Sequence, residues 1–193
     1  MRLILTAAAA SLAIATAACQ KPAETNPAAD NDIALNDGLA NDMDMNALAV
    51  TPMAANDFAS TIAGSDMFEI ASGKLAQTTA TNPGLKAFGA MLVTDHTKSS
   101  SELKTAAAAV SPAVTLPTAL PAELQAKLDA LKAAKGAAFD SLFLEQQKDG
   151  HSKALDALNS YSSSGDAASL KAFADKAIPV VQGHLDKLNA MKL

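Results

Sequence analysis

Residues 85–110 read LKAFGAMLVTDHTKSSSELKTAAAAV. Leu85, Phe88, Met91, Leu92, Leu103 and Ala106 recur at the three- and four-residue steps of one helix face. Asp95 and His96 fall where that apolar stripe should continue, on or beside the inward side. A long helix interrupted in this way predicts an all-α domain with a polar layer inside its core.

The same period extends in both directions. Asn56 and Asp57 are expected to cap a first helix carrying Phe58, Ile62, Glu69, Ile70, Leu75 and Ala76. Asn82-Pro83-Gly84 starts the second helix, which runs to about Val110. SPAVTLPTALP, residues 111–121, then breaks the chain with three prolines. Pro121 opens a shorter helix to about Lys135, stopped or bent at Gly136. The next helix carries Phe139, Phe143, Leu144, Leu155, Leu158 and Tyr161, and SSSGD at 162–166 closes it. Asp166 is expected to cap a last helix, which Pro179 should kink. Four long helices and one short one predict an antiparallel bundle over residues 56–193, built as two hairpins joined by the Pro-rich segment.

Composition agrees. Hydrophobic residues make up 49 % of the 193, but aromatics only 4 % and Trp is absent, so the apolar content is mostly alanine and favours helices over strands. The formal net charge of −5 is uneven. Glu24, Asp30, Asp32, Asp37, Asp42 and Asp44 face only Lys21 between residues 20 and 55, which leaves the rest close to neutral. Without a basic patch, nucleic acid is not an expected partner.

The N-terminus has its own logic. MRLILTAAAASLAIATAAC carries one cation, Arg2, then an apolar run to Ala18 that is short and Ala-rich for a membrane span. It reads as a signal peptide over residues 1–18. Cys19, the single cysteine, follows small residues and has no internal disulfide partner. Thr16-Ala17-Ala18-Cys19 resembles a bacterial lipobox, although Thr16 stands where Leu is usual. The resemblance implies lipidation of Cys19 and membrane attachment through it. Gln20 after the cysteine, by likeness to sorted lipoproteins, favours the outer membrane and a periplasm-facing domain. An uncleaved anchor, or cleavage at Ala15-Thr16-Ala17 to give a soluble periplasmic protein, are the other readings. Residues 19–55, rich in Ala, Asn, Asp and Pro, are expected to be a disordered acidic tether.

The polar interruptions converge. Stepping along each stripe brings Glu69, Asp95, His96, Asp140, Gln147, His151 and His184 inward, so all three histidines point at one core from three helices. Counted from Asn82, Glu69 and His96 stand nearly level; counted from Gly165, His151 and His184 are offset by about 7 Å, with Gln147 level with His184. Two readings remain open. The imidazoles, with Glu69, Asp95 and Gln147, form a satisfied network that fixes helix register. Alternatively Glu69, His96, His151 and His184 hold one divalent transition metal, supported by Asp95, Asp140 and Gln147.

DFASTIAGSDMFEIASGKLA at 57–76, LKAFGAMLVTDHTKSSSELK at 85–104, GAAFDSLFLEQQKDGH at 136–151 and SLKAFADKAIPVVQGHLDKL at 169–188 resemble one bacterial family. It is the domain of unknown function 4142 family, whose secreted members are often labelled outer-membrane proteins and regarded as ferritin-like. The likeness covers about residues 56–191 and rests on Glu69, Asp95-His96, Phe139-Asp140, Gln147, His151, Pro179 and His184. It implies a ferritin-like four-helix bundle and supplies no reaction. Di-iron members of that fold class use two Glu-x-x-His motifs. Here Val93, Lys148 and Val181 precede the histidines by three, which argues against a di-iron centre.

No serine sits in a nucleophile elbow and no Gly-rich phosphate loop occurs. The sequence therefore favours a non-enzymatic envelope lipoprotein with a helical binding or structural domain. A metal-binding or metal-dependent oxidoreductase module is the alternative. It names no protein partner and no ligand.

Overall fold

Asn82 and Pro83 lie at a short turn between two long helices of the chain, which a computed structural model describes over residues 53–193. Asn82 has extended backbone, its side chain accepts from the Gly84 N–H at 2.8 Å, and Pro83 begins the helix that follows. On either side lie α1 (Ala55–Thr79) and α2 (Pro83–Ala108). After the Pro-rich segment come α3 (Ala122–Ala133), α4 (Gly136–Ser164) and α5 (Ala168–Ala190). The described residues contain no strand, so the domain is all-α. The signal peptide, Cys19 and nearly all of the acidic tether lie outside the described residues.

Paired positions reveal direction. Asp66 meets His96 and Gly73 meets Gly89, so residue numbers rise along α1 as they fall along α2. His151 meets His184 and Ser162 meets Asp175 with the same opposition in α4 and α5. The two hairpins join along α1–α4, where Ser72 meets Gln147 and Phe58 meets Tyr161, and along α2–α5, where Asp95 meets His184. Each long helix is thus antiparallel to both of its neighbours, and α3 lies against α1 and α4.

Two apolar clusters fill the interior. One holds Phe58, Ile62, Leu103, Leu158, Tyr161, Leu170 and Phe173, with Phe58 and Tyr161 stacked at 4.0 Å between ring centroids. The other holds Phe68, Leu85, Phe88, Leu92, Phe139, Phe143 and Leu188, with Leu128 and Leu131 of α3. The polar layer lies between them.

Local details correct the sequence reading. The first helix starts after Ala54, not at a capped Asn56 or Asp57, and the Asn56 side chain instead accepts the Thr115 N–H at 3.3 Å. Asp166 does not cap α5, whose cap residue is Ala167; its carboxylate takes the Tyr161 hydroxyl at 2.7 Å. Phe68 is buried although it lies off the expected stripe, because α3 covers that flank of α1. Gly136, the first residue of α4, has φ +57, a left-handed conformation that a Cβ disfavours.

The hairpin α1–α2 is unusually close at one point. A Cβ at residue 73 would lie 2.7 Å from the Gly89 carbonyl oxygen, and one at residue 89 would lie 2.6 Å from that of Gly73. Only glycine allows this approach, so the two backbones meet with nothing between them.

Candidate functional site

All three histidines are buried side by side between the two apolar clusters. Their ring centroids lie 5.3–5.8 Å apart, and their donor nitrogens are all within 4.8 Å of one another. Phe88 packs across His151 and His184 at about 6 Å and closes one side.

Each ring has one nitrogen committed. The Gln147 carbonyl, one turn earlier on α4, accepts from His151 Nδ1 at 2.8 Å. A carbonyl only accepts, so that nitrogen carries the proton and Nε2 carries the lone pair. The Asp66 carboxylate takes His96 Nδ1 at 2.7 Å and is steadied by the Ser100 hydroxyl at 3.2 Å. Asp95 takes His184 Nε2 at 2.9 Å. His96 Nε2, His151 Nε2 and His184 Nδ1 remain.

Those three nitrogens have no good protein partner among the described residues. His96 Nε2 is buried and unpaired. His151 Nε2 and His184 Nδ1 face each other at 3.2 Å. With both rings neutral, two lone pairs meet there and repel, so the contact calls for a cation between them. Two nitrogens on one tetrahedral metal at about 2.0–2.1 Å would stand about 3.3–3.4 Å apart. Anchoring the far nitrogen of each ligand histidine on a carbonyl or carboxylate is the usual support of a metal site.

The alternative cation is a proton on His184, and burial opposes it. Its pKa is lowered, first by burial and then by the neighbouring His96, against the pull of Asp95. Burial lowers His151 further, to about 3, with the charges of His96 and His184 adding to it and the Gln147 carbonyl opposing. For His96, burial opposes the charged form, but the bond to Asp66 and the fields of Glu69, Asp66 and Asp95 outweigh it and leave the pKa raised.

Glu69 is buried with Oε2 unpaired. Burial raises its pKa to about 7, opposed by His96 and the nearby Gln147 amide and reinforced by Asp66. Its oxygens fall outside the set of donor atoms lying within 4.8 Å, so it stands beside the histidine triad. The Gln147 amide nitrogen goes to Ser72 Oγ at 3.2 Å.

The residues expected from the sequence therefore divide. His96, His151 and His184 come together, with Asp95 and Gln147 as supports and Glu69 adjacent. Asp140 does not join them. It sits near the start of α4, at the height of the α1–α2 turn, and accepts the Thr81 and Asn82 backbone N–H groups, both at 2.9 Å, and the Thr81 hydroxyl. Asp66 had no role assigned, although it lies on the inward stripe of α1. It, not Glu69, is level with His96, because the hairpin pivots about Thr81 and not Asn82. The expected offset of His151 and His184 also vanishes, since α5 begins at Ala168, later than the Gly165 pivot assumed.

An all-helical domain with three buried imidazoles at its waist is the class that fold and site define. The chain belongs to the family described as Domain of unknown function (DUF4142), whose model matches residues 40–191. That match begins inside the segment read as a tether. No curated protein and no solved structure matches the chain.

Proposed function

We propose that the protein is an outer-membrane lipoprotein, anchored through Cys19 and facing the periplasm, whose ferritin-like four-helix bundle holds one divalent transition metal. His96 Nε2, His151 Nε2 and His184 Nδ1 are the ligands, and Glu69, outside the donor set, stands beside them as a proton acceptor. One observation carries the reading: three imidazoles each give one N–H to a fixed acceptor and turn the other nitrogen toward a common point. A neutral imidazole set suits Zn, Cu, Fe or Ni. The absence of Glu-x-x-His, with no carboxylate oxygen among the grouped donor atoms, speaks for one ion and not a di-iron pair.

The envelope assignment rests on the lipobox-like Thr16-Ala17-Ala18-Cys19. No helix among the described residues is long and apolar enough to cross a membrane. Binding, not turnover, is the role these features support.

Elemental analysis of the full chain, purified in detergent without a His tag or chelator, tests the metal. About one transition metal per chain is expected. A clean zero that persists after incubation with Zn, Cu, Fe and Mn would leave a protonated histidine network in its place.

A further inference from the structure

A cavity of about 290 Å³ reaches the triad from one side. Ile62, Leu158, Phe173 and Val181 make an apolar part of its wall, Ser65, Ser99 and Glu102 a polar part, and His96 and His184 line it where it meets the triad. Asp66 and the partly exposed Asp95 also line it. Val180, 46 % exposed, and the exposed Lys98 and Lys176 lie on α2 and α5 at the rim, so the opening is the seam between those helices.

We propose that this cavity is a binding site for a small uncharged molecule with an apolar body and a single nitrogen donor, which it delivers to the metal. The inference rests on the metal reading above. Three histidines fill three of four tetrahedral positions, and no carboxylate oxygen lies within the 4.8 Å donor set, so one position is left for an outside donor. The charge of the ligand follows from the lining. Asp66 and Asp95 balance the two charges of the ion, so an anionic head gains no net attraction and a cationic one meets the metal, and either would lose its hydration against the apolar part of the wall. The volume, at the lower end of small-molecule sites, suits one or two rings.

Cobalt(II) replaces tetrahedral zinc-type ions and reports its ligands in the visible spectrum. The full chain loaded with Co(II) should therefore show a saturable spectral change with 4-phenylimidazole, and binding at least about tenfold weaker with benzoate. Ala177→Phe, inside the cavity, and Val180→Trp, at its exposed rim, should each take up Co(II) like the parent and bind 4-phenylimidazole at least about tenfold more weakly. The rim variant keeps the test open should the inner one misfold. Co(II) bound normally with a spectrum indifferent to 4-phenylimidazole overturns the pocket and leaves the metal site standing. Equal binding by parent and both variants overturns the assignment to this cavity. Failure of the parent chain to bind Co(II) at all overturns the metal reading, and this inference with it.

Discussion

Asp140 and Asp66 are both buried carboxylates bonded to a neighbouring element, yet their surroundings differ in kind. Asp140 is surrounded by donors: two backbone N–H groups and a hydroxyl from the α1–α2 turn satisfy both of its oxygens. Those hydrogen bonds hold its pKa below the usual carboxylate range despite the opposing effect of burial, itself the largest single influence. Asp66 belongs to a layer in which every group points onward, to His96 and from there to a nitrogen that nothing satisfies. The loop end is a closed account of hydrogen bonds, and the waist is an open one. Buried polar atoms left over after all protein partners are counted, as at His96 Nε2 and Glu69 Oε2, mark where an outside group belongs.

Changes at the two places should therefore register on different instruments. The largest effect is expected from His151→Ala, which should abolish stoichiometric metal by elemental analysis while circular dichroism still reports a helical chain. Retained metal would remove the triad as the site.

Next in size is the pH dependence of the metal-free protein, followed by urea denaturation. His151 has a folded pKa of about 3 against 6.5 unfolded, so the unfolded chain binds the extra proton between those values. Stability is then full above pH 6.5 and falls by on the order of 4–5 kcal/mol towards pH 3. The lowered His184 adds to this acid loss. Glu69 works in the opposite sense: the folded chain keeps its proton between 4.5 and about 7, so stability is full below 4.5 and falls by on the order of 3 kcal/mol as pH rises through 7. The raised pKa of His96 adds to the loss on that alkaline side. Between 4.5 and 6.5 the His151 and Glu69 slopes cancel, which predicts a plateau. Glu69→Gln should turn that plateau into a continued rise up to about pH 6.5, and an unchanged profile would show that Glu69 ionises freely in the fold.

Asp140→Ala should cost about 2–3 kcal/mol in urea denaturation and leave metal content untouched. Asp66→Asn should do the reverse, weakening metal about 10–100-fold with a smaller change in stability. If the two variants behave alike, the contrast between the regions is wrong. Tyr161→Phe, which removes only the hydroxyl bonded to Asp166, should cost about 1 kcal/mol and sets the lower end of the scale.

Much of this was legible in the sequence, for physical reasons. The stripes of α2, α4 and α5 follow a strict helical period, so the inward histidines could be found by counting. What escaped depended on contacts between helices. Phe68 is buried in the cluster to which α3 contributes Leu128 and Leu131, and no periodicity in α1 announces that. Asp66 was on the stripe, but a one-residue error in the pivot of an antiparallel pair moves the facing residue by two, enough to favour Glu69 one turn away. Asp140 could have been recognised from its place only four residues after Gly136, which puts it at an end of the bundle. The helix starts were misjudged because Asn56 and Asp166, good capping residues, have partners elsewhere.

The Gly73–Gly89 contact bears on all of this from a distance. Asp66 lies two turns from Gly73, and His96 two turns from Gly89, on the same two rods. A single methyl group at either glycine would act as a shim, prying the rods apart where they now touch and tilting their far ends. The alignment of carboxylate and imidazole is thus guarded by two residues that carry no side chain at all.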